Sequence, residues 1–78
     1  MKLSEAIAKR IRDLLVQQNM TQYRLEKTIA MPHTTMLRIV NARNTVNTKT
    51  LFLICHGLGV SILDFFNDPI FTEDLDID

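Results

Sequence analysis

Residues 21–44 read TQYRLEKTIAMPHTTMLRIVNARN, and this stretch decides the fold because it predicts two short helices joined by a tight turn. The inner face of the second helix is apolar and holds Met36, Ile39 and Val40. The outer face follows the i, i+3, i+4, i+7 spacing of one helical stripe and holds Thr34, Leu37, Arg38 and Asn41. The apolar side of this helix is expected to pack in the core, and the other side to be free to bind a partner. This pattern is typical of a helix that reads DNA.

The composition predicts a single all-α domain. The chain has 78 residues, 46% of them hydrophobic, with two glycines and two prolines. A chain of this length buries about 60% of the surface of its unfolded form, which suits one domain. The scarcity of turn residues argues against a β-sandwich and against disorder. No apolar run approaches the roughly 18–20 residues of a membrane span and no signal peptide is visible, so we expect a cytoplasmic protein with no membrane partner.

Charge is distributed unevenly along the chain, although the formal net charge is zero. Residues 1–63 contain nine lysines or arginines and three acidic residues, whereas residues 64–78 contain six acidic residues and no basic one. The body is therefore basic and the C-terminal part acidic. A basic body is the electrostatic footprint of a nucleic-acid binder, although an ordinary solvated surface can carry a similar excess.

Capping residues predict where the first three helices begin and end. Ser4 is expected to cap a first helix that ends near Gln18, and Thr21 to cap the second. Pro32 suits the first position of the third helix, which is expected to end near Asn41.

Two further helices are predicted in the C-terminal half. Asn47 is expected to cap the fourth helix, and Gly59 lies just past its end. Ser61 and Asp64 form a start that resembles a capping box for a short fifth helix. The single cysteine, Cys55, cannot form an internal disulfide and is expected to be a small buried hydrophobic residue of the fourth helix.

The order of these elements resembles the Cro and phage-repressor type of helix-turn-helix regulators, also called the xenobiotic-response-element family. The resemblance covers about residues 7–66 and rests on Thr21-Gln22 at the start of the second helix and on the later run TKTLFLICHGLGVSILDFF. The apolar positions of the motif are occupied by Leu25, Ile29, Met31, Met36 and Ile39.

The sequence departs from the family pattern at two positions. The family usually has a small residue where Glu26 stands and a glycine where Ala30 stands. Glu26 is expected to reach solvent or to pair with a neighbouring base. Ala30 is expected to adopt a left-handed conformation at a cost of roughly 1 kcal/mol.

The resemblance implies a compact five-helix domain whose third helix lies in the major groove of double-stranded DNA and whose second helix crosses the backbone. The residues implied to face the bases are His33, Thr34, Leu37, Arg38 and Asn41. Leu37 suits a thymine methyl group, or alternatively packs against Tyr23 or a partner subunit. The residues expected to contact phosphates are Thr21, Gln22, Tyr23, Arg43, Asn44 and Lys49.

The C-terminal run FFNDPIFTEDLDID joins bulky apolar side chains to acidic ones. No firm structure is expected beyond Pro69, which gives a DNA-binding domain over residues 1–68 and an acidic tail over residues 69–78. The apolar side chains are expected to seal a homodimer, or else to cover the core of their own chain. They are Phe65, Phe66, Ile70 and Phe71. The acidic side chains are expected to be solvated, or to weaken non-specific binding by repelling DNA or folding over the basic face.

No constellation of residues indicates catalysis, a metal or a cofactor. His33 and His56 have no second histidine at i+4, and the chain has no CxxC pair and no glycine-rich phosphate loop. We expect a regulator of transcription that is not an enzyme, takes no small-molecule ligand and acts by occupying its site, as a repressor does, although activation stays open. The alternative is a small protein-interaction module that keeps the helix-turn-helix architecture and uses Leu37, Leu53 and the terminal phenylalanines.

Overall fold

The computed structural model describes all 78 residues and confirms the all-α, five-helix class. The helices are α1 (Leu3–Gln17), α2 (Gln22–Thr28), α3 (His33–Val40), α4 (Thr48–Leu58) and α5 (Ile62–Phe66), followed by a 3-10 turn at Pro69–Thr72. None of these helices combines the length and the apolar character needed to cross a membrane.

The helices enclose one hydrophobic core. α1 packs on α3, α4 packs on both α2 and α5, and α2 packs on α3. Leu25, Met36, Ile54 and Phe65 are fully buried at its centre. Cys55 is buried among them, as predicted, and burial raises the pKa of its thiol.

Three of the predicted helix caps are confirmed. The side-chain oxygens of Thr21, Asn47 and Ser61 accept hydrogen bonds from the backbone N–H three residues later, at 3.1, 2.8 and 2.9 Å. These bonds satisfy one of the N–H groups that each helix start leaves unpaired. Pro32 lies at the cap position of α3 rather than inside its first turn.

α1, α2, α3 and α4 all end with the same turn. The second residue after α1, α2 and α3, and the first residue after α4, has a positive φ. The N–H of the residue that follows it donates to the carbonyl five positions back, as in a Schellman motif. The left-handed residues are Asn19, Ala30, Ala42 and Gly59. The expectation for Ala30 is confirmed, with φ at 53°, and only the turn after α4 uses a glycine. Alanine is strained in this region, so two of the four turns carry a conformational cost.

The expectation that no firm structure lies beyond Pro69 is wrong. The backbone of Asp76 pairs with the start of the chain through Leu3 N–H to Asp76 O at 2.8 Å and Asp76 N–H to Met1 O at 3.0 Å. The carboxylate of Asp78 accepts a bond from Ser4 N–H at 3.0 Å and another from the Ser4 hydroxyl. We call this pairing of residues 1–4 with residues 76–78 the C-terminal clasp.

The clasp also corrects the predicted role of Ser4. α1 begins at Leu3 with Lys2 in the cap position, and Ser4 is buried inside the first turn. The Ser4 N–H, which the helix itself cannot pair, is satisfied by Asp78 instead of by a local cap. The same bonds lower the pKa of the Asp78 carboxyl, because they stabilise its charged form.

Two arginines of α1 are used inside the fold. Arg10 is buried and donates to the carbonyls of Phe65 and Asp64 at 2.8 and 2.9 Å, so it satisfies the C-terminal end of α5. Arg12 donates to the carbonyl of Val40 at the end of α3, at 2.5 Å. Cationic groups are favourable at helix C-termini. Part of the basic character of the body therefore serves helix ends rather than a partner.

Gly57 is required where α4 passes α2. A β-carbon at this position would lie 2.6 Å from Ile29 Cγ2 and 2.6 Å from Leu25 Cδ1. Those distances are far below van der Waals contact, so a side chain there would force the side chains of Leu25 and Ile29 to move. The absence of a side chain at Gly57 therefore permits the close approach of α4 to Leu25 and Ile29.

Candidate nucleic-acid interface

The outer stripe of α3 is exposed along its whole length. Thr34, Leu37, Arg38 and Asn41 face solvent, while Met36, Ile39 and Val40 are buried. This is the division that the spacing of the residues predicts. Leu37 keeps 37% of its surface accessible even though it is apolar. α3 is therefore fixed to the core by one side and presents an uncovered mixed polar and apolar stripe on the other.

A polar groove runs between α3 and the chain that leads into α4. Thr34, Arg38 and Ile39 of α3 lie in it, together with Val46 and with further threonines and asparagines from α3, the loop and α4. These additional residues are Thr35, Asn44, Thr45, Asn47 and Thr50. Sequence reasoning missed Thr35 and Thr45, because Thr35 stands outside the outer stripe and Thr45 reaches the groove only through the path of the loop.

The structure brings together several of the residues predicted to contact DNA. A second depression is lined by Leu37, Arg38, Asn41, Arg43 and Asn44, so the end of α3 and the following loop form one surface. The left-handed turn at Ala42 directs the loop there, and Arg43 N–H returns to the carbonyl of Arg38 at 2.8 Å. Lys49 is exposed in the first turn of α4.

The start of α2 carries the remaining predicted phosphate contacts. The Thr21 hydroxyl is used as a helix cap, since it accepts from Arg24 N–H. Tyr23 is exposed, and the Lys27 ammonium lies 5.3 Å from the centre of its ring, within range of a cation–π interaction. Gln22 is partly buried, and its amide group points toward Glu26.

Glu26 is buried between α2 and α3, and its carboxylate has two side-chain partners. Gln22 Nε2 donates to Glu26 Oε2 at 3.0 Å. His33 Nδ1 lies 2.9 Å from Oε2 and 3.1 Å from Oε1. The bond from Gln22 and then that from His33 lower the pKa of the Glu26 carboxyl, against the opposing effect of desolvation. The expectation that Glu26 pairs with a neighbouring base is confirmed.

The aromatic residues of the C-terminal part lie mainly against their own chain. Phe65 is fully buried and Ile70 is buried, so both belong to the core and are not free to seal a dimer. Phe66 packs edge-on against both Phe65 and Phe71, with ring centres 5.3 and 4.9 Å apart. It nevertheless remains 40% exposed, and its neighbour Leu63 is 78% exposed. A homodimer stays a prediction, and Phe66 is the best placed of the four predicted residues.

The histidines, cysteine and acidic residues do not gather into a metal site. No group of three or more such side chains lies close enough together to hold an ion. Asp76 and Asp78 of the acidic C-terminal segment lie against residues 1–4 in the clasp. Its predicted effect on non-specific DNA binding remains a prediction.

Comparison with known proteins agrees with this geometry. Residues 10–69 match the family model described as the Cro/C1-type HTH DNA-binding domain. The chain belongs to this family. The Cro/C1-type fold recurs in the crystal structure of the prophage Lp1 protein 11, which superposes with a TM-score of 0.79 and 29% sequence identity, covering 95% of this chain and 100% of that one. No curated protein matches the sequence. The Cro/C1-type domain described here is therefore a member of a family of DNA-binding regulators, and the predicted family is confirmed.

Proposed function

We propose that this Cro/C1-type domain regulates transcription by binding a specific double-stranded DNA sequence in the cytoplasm and reading its major groove with α3. The observation that carries the proposal is the two-sided character of α3, whose outer stripe is exposed while its inner stripe is fixed in the core. A helix held in this way can enter the major groove without any rearrangement of the fold.

Each residue of the outer stripe has a role that its chemistry allows. Arg38 can donate two hydrogen bonds to the O6 and N7 atoms of guanine. Asn41 can pair with adenine, and the exposed Leu37 can contact a thymine methyl group. His33 and Thr34 lie in the first turn of α3, where unpaired backbone N–H groups also favour a phosphate.

Phosphate contacts are assigned to the residues that surround this stripe. They are Gln22 and Tyr23 at the start of α2, Arg43 and Asn44 in the loop, and Lys49 in α4. Thr21 contributes by ordering the start of α2, since its hydroxyl is already bonded. If one subunit neutralises about three phosphates, log affinity falls against log salt concentration with a slope of roughly −2.7, and a dimer doubles this slope.

We infer that the protein binds as a homodimer and represses by occupying its site. The exposed Leu63 and Phe66 of α5 form the apolar surface that supports this assignment. A two-fold dimer places its two reading helices about 34 Å apart, one turn of DNA, and therefore requires a palindromic site.

The test is selection of binding sites from random duplex DNA at physiological salt. An enriched palindrome is the expected result, and a Leu63→Ser variant is expected to select only the half-site. A single short site for the unmodified protein would contradict the dimer but support α3 as a reader. No enrichment at all would contradict the proposed function and favour the protein-interaction module, for which the exposed Phe52 and Leu53 of α4 offer a surface.

A further inference from the structure

Glu26 connects the first residues of the two helices in the motif. Gln22 begins α2 and His33 begins α3, and both side chains are bonded to the same carboxylate. Glu26 itself is only 6% exposed, whereas the side chain of His33 is 64% exposed. A buried acceptor thus lies directly behind two side chains that face the candidate interface.

The chemistry of this contact fixes the proton on one nitrogen of His33. An ionised carboxylate accepts hydrogen bonds and cannot donate them. The lowered pKa of the Glu26 carboxyl keeps it ionised at neutral pH. The nitrogen that faces it, Nδ1, must therefore carry a proton. Nε2, on the opposite edge of the ring, has a free lone pair when His33 is neutral and an N–H group when His33 is protonated.

The same argument fixes the amide of Gln22. Only its NH2 group can donate to the carboxylate, so Nε2 points to Glu26 and the carbonyl oxygen points away. Side chains that are already held in one orientation lose less freedom when they bind a partner.

We propose that Glu26 is a positioning residue of the DNA interface, which holds the proton on Nδ1 of His33 so that Nε2 meets DNA as an acceptor when the ring is neutral and as a donor when it is protonated. This inference rests on the function proposed above. The protonated ring recognises an acceptor on DNA, which is either a phosphate oxygen or the N7 or O6 atom of a purine.

The charges around this pair come from α2. Lys27 lies in the same groove as Glu26 and His33 and favours the charged carboxylate, and Tyr23 also lines that groove. α4 also packs on α2, but none of its charged groups is among those that act on Glu26. Glu26 is thus the acidic partner of His33, and removing its carboxylate removes the group that fixes the proton on Nδ1.

The first test measures the tautomer of His33 in the free protein by the nitrogen-15 chemical shifts of its ring. We expect the unmodified protein to carry the Nδ1–H form at neutral pH. In Glu26→Ala, which places a small residue at this position, the proton is expected to move to Nε2. The same tautomer in both proteins would overturn the inference, and this result does not depend on whether DNA is bound.

The second test measures affinity for the selected DNA site between about pH 5.5 and about pH 8, across the range in which histidine titrates. Affinity of the unmodified protein is expected to rise about tenfold on acidification, the effect of one charge-assisted hydrogen bond. Glu26→Ala is expected to lose most of this pH dependence, because Nε2 then carries a proton and can donate in the neutral ring as well. His33→Ala is expected to lose it because no ring remains. His56→Ala, the matched control, is expected to keep it.

Two results separate the possible failures. If Glu26→Ala binds the site with an unchanged pH profile, the inference is wrong and the proposed function stands. If no site can be selected, the proposed function is wrong, and the tautomer measurement still decides the role of Glu26. The way the pH effect varies with DNA sequence identifies the atom that His33 contacts. A pH effect on affinity that is equal on all sites indicates a phosphate oxygen. A pH effect that disappears when a single base pair is changed indicates a purine.

Discussion

Arg10 and Glu26 are the two charged residues that this domain buries, and they are used in opposite ways. The guanidinium of Arg10 donates to two backbone carbonyls at the end of α5 and makes a longer ion pair, at 3.4 Å, with the carboxylate of Asp68 just after α5. The carboxylate of Glu26 accepts only from side chains that face the candidate DNA interface. Burial alone therefore does not distinguish a structural charge from a functional one. The partners distinguish the two, because those of Arg10 lie at the end of α5 and just after it, whereas those of Glu26 are side chains at the starts of α2 and α3 that face the candidate interface.

The difference predicts that Arg10 is the more important residue for stability. Arg10→Ala leaves two carbonyls of a five-residue helix without their buried donor. We expect the free energy of unfolding to fall by about 3 kcal/mol. For a domain of this size the corresponding decrease in Tm is roughly 15 °C. Thermal unfolding followed by circular dichroism provides the measurement.

Arg12→Ala is the matched control, since it removes one bond to a helix end from an exposed arginine. It is expected to cost about 1 kcal/mol. Glu26→Ala is expected to lower Tm much less than Arg10→Ala. If Glu26→Ala proved the more destabilising of the two, the contrast between the two buried charges would be wrong.

A substitution in the outer stripe of α3 is expected to show the reverse pattern, with loss of DNA binding and an intact fold. Arg38→Ala should weaken binding to the selected site by about tenfold or more, because a two-pronged contact to guanine contributes about 1–3 kcal/mol. Arg38→Lys separates the two possible contacts. Lysine keeps a phosphate contact but cannot reproduce the fork, so equal losses in both variants indicate a base contact. Full affinity in Arg38→Lys would place Arg38 on a phosphate.

The C-terminal clasp is expected to make stability sensitive to acid. The pKa of Asp78 is lower in the folded protein, so its contribution is fully present above the unfolded pKa of about 3.9 and is lost as the pH falls through the folded value. Asp78→Asn should therefore lower Tm at neutral pH. Near pH 3 the difference in Tm between this variant and the unmodified protein should become smaller. The control is Asp74→Asn, outside the clasp. A constant difference in Tm across this pH range would show that the carboxylate charge is not responsible.

The smallest expected effect is a gain in stability at the turn of the motif. Ala30 has a φ of 53°, a conformation that glycine adopts without strain. Ala30→Gly should raise the free energy of unfolding by about 0.5–1 kcal/mol, after the greater freedom of glycine in the unfolded chain is subtracted. Ala42→Gly, with φ at 57°, should behave alike. Denaturation by urea would measure both, and a loss of stability in either variant would show that the left-handed turn is not strained.

Local contacts explain why so much of the fold could be predicted from the sequence. The caps at Thr21, Asn47 and Ser61 each join a side chain to the backbone three residues later, and the stripes of α3 follow from helical spacing. Residue type and spacing are sufficient to identify such contacts.

The missed features depend on residues that are distant in the sequence. The clasp joins Ser4 to Asp78 across 74 positions, and Arg10 reaches Phe65 across 55. Neither partner has a distinctive residue type, so no pattern in the sequence selects the pair. The predicted site was incomplete for the same reason, since Thr45 joins the groove of Arg38 only after the loop is folded.

Gly57 has a consequence that a genetic experiment would reveal. A side chain at this position would press on Leu25 and Ile29. We expect this to displace α2, which carries Gln22 and Glu26. In a screen for mutants that no longer bind DNA, we expect substitutions of Gly57 to be recovered together with those of the exposed stripe of α3. Second-site suppressors are expected at Leu25 and Ile29, where a smaller side chain would restore the lost space. Mutations in the stripe itself would have no such suppressors in the core.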